Sequence, residues 1–191
     1  MGNPYASDAA TLLIQTLFGL YILVVLLRFL LQLVRADFYN PVSQFIVKAT
    51  QPPLGTLRRI VPGLGGIDVA ALLLMFLLQC IEIWLLLIIH GKPPSAAGIG
   101  ILAVAELLQL TIYLFFFCII VQVVLSWVNP HAHNPITVLI SRINEPLLRP
   151  ARRLLPTFSG IDLSPLLVLI VLQLAIILIV RPIHDMAIPF F

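Results

Sequence analysis

An all-α integral membrane protein, built as two parallel tandem repeats in a four-helix transmembrane bundle, is the fold class this sequence predicts. Three observations predict it. Of 191 residues, 61% are hydrophobic and only 10% are charged, with a mean hydropathy of +1.11. A soluble domain carries roughly 25% charged residues, so this chain lacks the polar surface to face water. The apolar residues gather in four runs, 9–34, 69–90, 96–128 and 163–180. Each is close to or above the ~20 residues that cross ~30 Å of hydrocarbon. Finally, the second half of the chain repeats the first. Asn40-Pro41 returns as Asn134-Pro135, a shift of 94 (134 − 40). The same shift carries Pro52 to Pro146, Arg58-Arg59 to Arg152-Arg153, Pro62 to Pro156 and Gly66-Ile67-Asp68 to Gly160-Ile161-Asp162, with no gap. The halves, 1–95 and 96–191, must then share one architecture, and any site should occur twice or break the symmetry for a reason.

The first run is expected to remain in the mature protein. It is longer than a signal-peptide core and has no basic segment before it. The third run exceeds a straight crossing, which predicts tilt or extension beyond the bilayer. Orientation follows from charge. The connections at 35–68 and 129–162 each hold four basic against two acidic residues, whereas the turn at 91–95 has only Lys92. The positive-inside rule places both long connections in the cytoplasm and both termini outside. Two crossings separate the connections, so the repeats run parallel and are not inverted.

Each connection opens with Asn-Pro, a favoured helix cap followed by the residue best suited to the first helical position. Val42, Phe45, Ile46 and Ala49 then recur at helical spacing, with Ser43, Gln44 and Lys48 turned away; the second copy reads Ile136, Leu139, Ile140 and Ile143, with Thr137, Ser141 and Arg142 opposite. This spacing predicts a short amphipathic helix in each copy, ended by Pro52 and Pro146. It either lies in the membrane interface or docks on the bundle. Arg58, Arg59, Arg152 and Arg153 sit just before re-entry into the membrane. They read either as topology signals that contact anionic headgroups or as a docking site for an acidic protein partner or an anionic ligand. Asp68 and Asp162 directly precede apolar runs and read as N-caps, as do Asn40 and Asn134 at the loop helices.

The pattern Asn-Pro, amphipathic stretch, Pro, Arg-Arg-x-x-Pro, Gly-Ile-Asp, twice in a four-helix chain, resembles the YggT family of small bacterial integral membrane proteins. The resemblance covers nearly the whole chain. It implies a multi-pass protein of the bacterial inner membrane with two YggT repeats. It links the chain to osmotic stress tolerance and ion homeostasis, to cell division and envelope organisation, and in plastids to cytochrome assembly. It supplies no catalytic residues to carry over.

Three ionisable residues lie inside the apolar runs: Arg28, Glu82 and Glu106. Intramembrane charge is costly, so each is a candidate functional residue. At ~1.5 Å per residue, Glu82 and Glu106 fall at similar depths, about 12 and 15 Å from the outer ends of neighbouring antiparallel helices. Two carboxylates in one layer suit proton or cation handling. Arg28 either snorkels to headgroups or reaches a glutamate. It maps to Gln122 and Glu82 maps to Ile176, so these charges are not part of the repeat's shared design. The intramembrane glutamines read as interhelical hydrogen-bonding groups, with the repeat-equivalent Gln79 and Gln173 both at helix contacts. Trp127 reads as an interfacial anchor. Cys80 and Cys118 read as small buried hydrophobes. His131-x-His133 reads as a surface turn, because nothing nearby completes a metal site. No phosphate-binding glycine loop, HExxH, CxxC or haem-attachment motif occurs, so no cofactor or metal is expected. The modest net charge of +3 does not point to nucleic acid. Homo-oligomers are compatible with the sequence, because lipid-facing and partner-facing apolar surfaces look alike. The two function classes in view are an ion or proton pathway through the glutamates and a scaffold that docks partners through its basic loops.

Overall fold

The computed structural model describes residues 4–128, 134–154 and 162–191. Pro156, Gly160-Ile161 and the His131-x-His133 turn lie outside the described residues. Among the described residues, four helical stretches are long and apolar enough to cross a membrane. They are α1 (Pro4–Leu33), α3 (Val69–Ile89), α4 (Ala96–Val128) and the run formed by α6 (Ser164–Ala175) with its continuation. Two further helices, α2 (Pro41–Ile60) and α5 (Pro135–Leu154), connect the spans within each repeat. Packing joins the spans in the order α1, α3, α4 and the C-terminal run; α2 lies against α1 and α3, and α5 against α4 and α6.

Both loop helices continue through the prolines expected to end them: α2 contains Pro52 and Pro53, and α5 contains Pro146 and Pro150. A proline inside a helix costs about 3 kcal/mol. Here the inward stripe runs on past it, to Leu54 in α2 and to Leu148 and Ala151 in α5, all buried. Docking holds each helix together beyond its proline. It also sets which face turns inward. In α2 the buried residues are Ser43, Ile46, Thr50 and Leu54, whereas Phe45 is 69% exposed and Ala49 also faces outward. The face is rotated from the one hydrophobicity selects, because polar bonds from α1 fix Thr50 and Gln51 toward the bundle. In α5, Leu139 and Ile143 face inward, while Thr137 is partly covered and Ser141 and Arg142 face outward.

The turn before α3 is a two-residue hairpin. Leu64 and Ile67 exchange backbone hydrogen bonds at 2.9 and 3.2 Å around Gly65 and Gly66, both with positive φ. Glycine is the residue that adopts this conformation without a steric penalty. The hairpin delivers Asp68 to the start of α3.

The fourth span is longer than the run at 163–180. It continues as a π-helical turn at Ile176–Val180, α7 (Arg181–Ala187) and a 3-10 turn at Ile188–Phe190. Pro182 lacks an N–H and would crowd the carbonyl four residues back. The wider turn, in which the Arg181 N–H reaches the Ile176 carbonyl, accommodates it. The C-terminal residues then fold onto α4 over Gly98, where an added β-carbon would sit 2.7 Å from Phe190 Cβ.

Candidate functional site

Polar chemistry concentrates in three places, two near the loop helices and one toward the opposite end. The first is a clasp between α1 and α2. Arg28 is 7% exposed. Its Nη1 donates to Thr50 Oγ1 at 2.8 Å and to the Val47 carbonyl at 3.0 Å, and its Nη2 donates to Gln51 Oε1 at 2.9 Å. Thr50 Oγ1 in turn donates to the Ile46 carbonyl at 2.7 Å. Arg28 therefore binds the loop helix and does not join the glutamates. In the second repeat the equivalent residues, Gln122 and Asn144, make the same connection with neutral groups: Asn144 Nδ2 donates to Gln122 Oε1 at 2.7 Å. The charge is unique to the first repeat, but the clasp is not. Reading Arg28 alone hides this. Advancing both partners by 94 turns 28 and 50 into 122 and 144, two polar pairs at one place in the repeat.

The second is an arginine–aspartate tether, present twice. Arg58 Nη2 pairs with Asp68 Oδ2 and also donates to Gln32 Oε1 at 3.3 Å. Asp68 is buried, and its Oδ1 accepts the Ala71 N–H at 3.2 Å, so one carboxylate both caps α3 and anchors α2. Arg152 Nε donates to Asp162 Oδ2 at 3.0 Å, and its Nη1 reaches Glu145 Oε2 at 3.5 Å. Here the cap differs. α6 begins at Ser164 with Leu163 as its cap residue, and Asp162 lies one position earlier, accepting the Ser164 N–H at 2.9 Å. Burial pushes the Asp162 carboxyl up, but hydrogen bonds from Ser164 and the charge and hydrogen bond of Arg152 outweigh it and hold it below the usual aspartate value. The first arginine of each doublet is thus bound within the chain, while Arg59 and Arg153 are exposed.

The loop-helix caps also differ between copies. Asn40 Oδ1 accepts the Val42 N–H at 2.9 Å, while its Nδ2 donates to the Pro135 carbonyl at 2.7 Å, joining the two repeats. Asn134 is exposed and accepts the Thr137 N–H at 2.8 Å.

The third place is a cavity of about 370 Å³ between α1, α3 and α4, whose polar walls include Gln15, Gln79, Glu82, His90, Lys92 and Glu106. Glu82 is 8% exposed and accepts from Gln79 Nε2 at 3.1 Å, one turn earlier on the same helix. Glu106 enters from α4. The two carboxylates thus face one space near the α3–α4 turn. Gln173, the counterpart of Gln79, is instead exposed on the outer face of α6. Its helix offers Ile176 where α3 offers Glu82. Among the described residues no group of three histidine, cysteine, aspartate or glutamate side chains could hold a metal ion.

These features define a small polytopic helical membrane protein made of two tandem repeats, each with two spans and a docked loop helix. The chain belongs to the CCB3/YggT family, whose profile matches residues 7–89 and again 101–183. It is 47% identical over 182 residues to an uncharacterized protein of Pseudomonas aeruginosa, covering 92% of this chain and 90% of that one. It is 42% identical to an uncharacterized protein of Vibrio alginolyticus, covering 88% and 91%. It is 39% identical to the uncharacterized protein YggT of Escherichia coli, covering 86% of each. No solved structure matches.

Proposed function

We propose that this protein is a non-enzymatic component of the bacterial inner membrane that acts in ion or osmotic homeostasis by taking up a cation or proton in the cavity between α1, α3 and α4. The observation that carries this reading is the convergence of Glu82 and Glu106, from different helices, on one cavity. Intramembrane carboxylates facing a cavity are the usual elements of cation and proton pathways. With the basic connections on the cytoplasmic side, the cavity opens toward the outside. The test is cation and proton flux in proteoliposomes. Wild type is expected to conduct above empty liposomes. Glu82→Gln and Glu106→Gln are each expected to lower flux at least tenfold while the protein stays folded and inserted. Absence of flux from inserted wild type would sink the reading.

The alternative is a scaffold or assembly factor that docks acidic partners or anionic headgroups through its basic loops. Exposure of Arg59 and Arg153, the arginines not tied into the aspartate tethers, favours it. On that reading, Arg59→Glu with Arg153→Glu abolishes function in cells, and the glutamates tolerate glutamine.

A further inference from the structure

A second cavity, of about 120 Å³, lies at the basic end between α1, α2 and the link joining them; its polar walls are Arg28, Gln32, Ser43 and Arg58. Three features set it apart from a water-filled gap. Arg28 is almost fully buried, yet its hydrogen-bond partners Val47, Thr50 and Gln51 are all uncharged. Among the described residues these bonds leave Nε and one Nη2 hydrogen unengaged. Among the described residues Arg58 engages Asp68 and Gln32 through Nη2, leaving Nε and Nη1. Two guanidinium groups therefore meet one carboxylate, and one positive charge is not offset. Ser43 Oγ is the third feature: the residue is 2% exposed and its hydroxyl has no hydrogen-bond partner among the described residues. Ser43 also stands in the first turn of the 20-residue α2, the positive end of that helix.

We propose that this cavity is a binding site for a small oxyanion of phosphate chemistry. The groups free to act are donors: two guanidinium edges, a serine hydroxyl and the Gln32 amide nitrogen, since Gln32 Oε1 already accepts from Arg58. A cation would meet two guanidinium charges there, with the serine hydroxyl as its main acceptor. A neutral occupant would leave a buried charge uncompensated, which is costly. A tetrahedral oxyanion offers several acceptor oxygens to a forked guanidinium and neutralises the charge. The space equals about four water molecules' share of liquid volume, enough for one such group. The second repeat does not reproduce the site. Gln122 stands for Arg28 and Ser126 for Gln32, while Thr137, in place of Ser43, is bonded into the Asn134 turn. The site is separate from the glutamate cavity and independent of its function.

Two sources supply this chemistry, a free ion and a phosphomonoester lipid headgroup, and one experiment separates them. The full chain is placed in zwitterionic nanodiscs, and its unfolding temperature is followed against inorganic phosphate, with chloride at matched ionic strength as reference. A parallel arm uses nanodiscs containing phosphatidate and no phosphate. Wild type is expected to show a saturable rise of a few degrees over its reference in the phosphate arm for a free ion, or in the phosphatidate arm for a headgroup. Arg28→Gln/Thr50→Asn copies the neutral Gln122–Asn144 clasp, so it retains the α1–α2 connection and is expected to lose the response. Ser43→Ala removes only an unpartnered hydroxyl and is expected to fold normally and weaken the apparent affinity about tenfold. No response of wild type in either arm, or a response that survives unchanged in Ser43→Ala or in the folded double variant, would overturn the proposal.

Discussion

Asp68 and Asp162 hold the same place in the repeat, yet the chain uses them unequally. Asp68 is buried and does two tasks, capping α3 and holding Arg58. Asp68→Asn should keep part of the cap but leave a half-buried guanidinium without its counter-charge, at a cost of about 2–4 kcal/mol. Asp162→Asn, in an exposed pair, should cost under about 1 kcal/mol. Denaturant unfolding in detergent compares the two, and equal losses would refute the distinction. Asp162 has a depressed folded value. Its contribution is complete above the ordinary aspartate value near ~3.9 and is lost as pH falls through the lower folded value. The protection factor of the Ser164 amide, its exchange rate taken against the intrinsic rate at each pH, should therefore fall in that acid range.

A glycine pair gives a sharper steric test. A β-carbon on Gly98 meets Phe190 and Phe191 at 2.7 and 2.8 Å, whereas one on Gly100 meets only Phe76 Cζ at 4.0 Å. Gly98→Ala should cost about 1–3 kcal/mol through overpacking and expose the C-terminal residues to protease. Gly100→Ala, with no such clash in a helix interior, should stabilise by about 0.5–1 kcal/mol.

At the level of elements, the loop helices show how docking overrides a local breaker. The α2 stripe Ile46, Thr50, Leu54 continues across Pro52-Pro53 because α1 and α3 bury it. Leu54 is wholly buried, so Leu54→Ala should cost about 2–5 kcal/mol. Phe45→Ala on the opposite face should change unfolding by less than about 0.5 kcal/mol. A larger Phe45 effect on stability than the Leu54 effect would mean that α2 docks with the other face. The exposed Phe45, with exposed Phe38 and Tyr39 nearby in sequence, suits an outer face that meets lipid.

For the whole molecule, the two repeats meet through α3 and α4, through an apolar core in which Leu139 and Ile143 of α5 join residues of α1 and α2, and through a small polar contact between loop helices. Asn40 Nδ2 donates across the repeat boundary to the Pro135 carbonyl. Asn40→Asp preserves the cap acceptor for Val42 but sets a carboxylate against that carbonyl. It should cost about 1–3 kcal/mol, while Asn134→Asp should be close to neutral; thermal unfolding of the two variants decides. Most of the surface of each span lies outside the chain's own core, so lipid or further copies of the chain complete the packing. Gln173 on the outer face of α6 is a polar group within that surface.

The sequence by itself determined the architecture: four spans, two tandem repeats and a helical connection opening at each Asn-Pro. Those features rest on run length, composition and register, which survive without knowledge of neighbours. It also marked Arg28, Glu82, Glu106, the arginine doublets and the two aspartates as chemically costly or well-placed residues. Only the tertiary structure decided their company. Arg28 and Glu82 both lie in apolar runs, but one meets α2 and the other a cavity near the α3–α4 turn. Serine 43 and threonine 50 look like ordinary polar positions of an amphipathic helix until α1 turns them inward. The α2 prolines read as stops because local rules count a missing N–H and not the burial that outweighs it. Helix periodicity specifies which residues share a face; which face is buried depends on hydrogen bonds and packing offered by distant segments, and those exist only once the chain has folded.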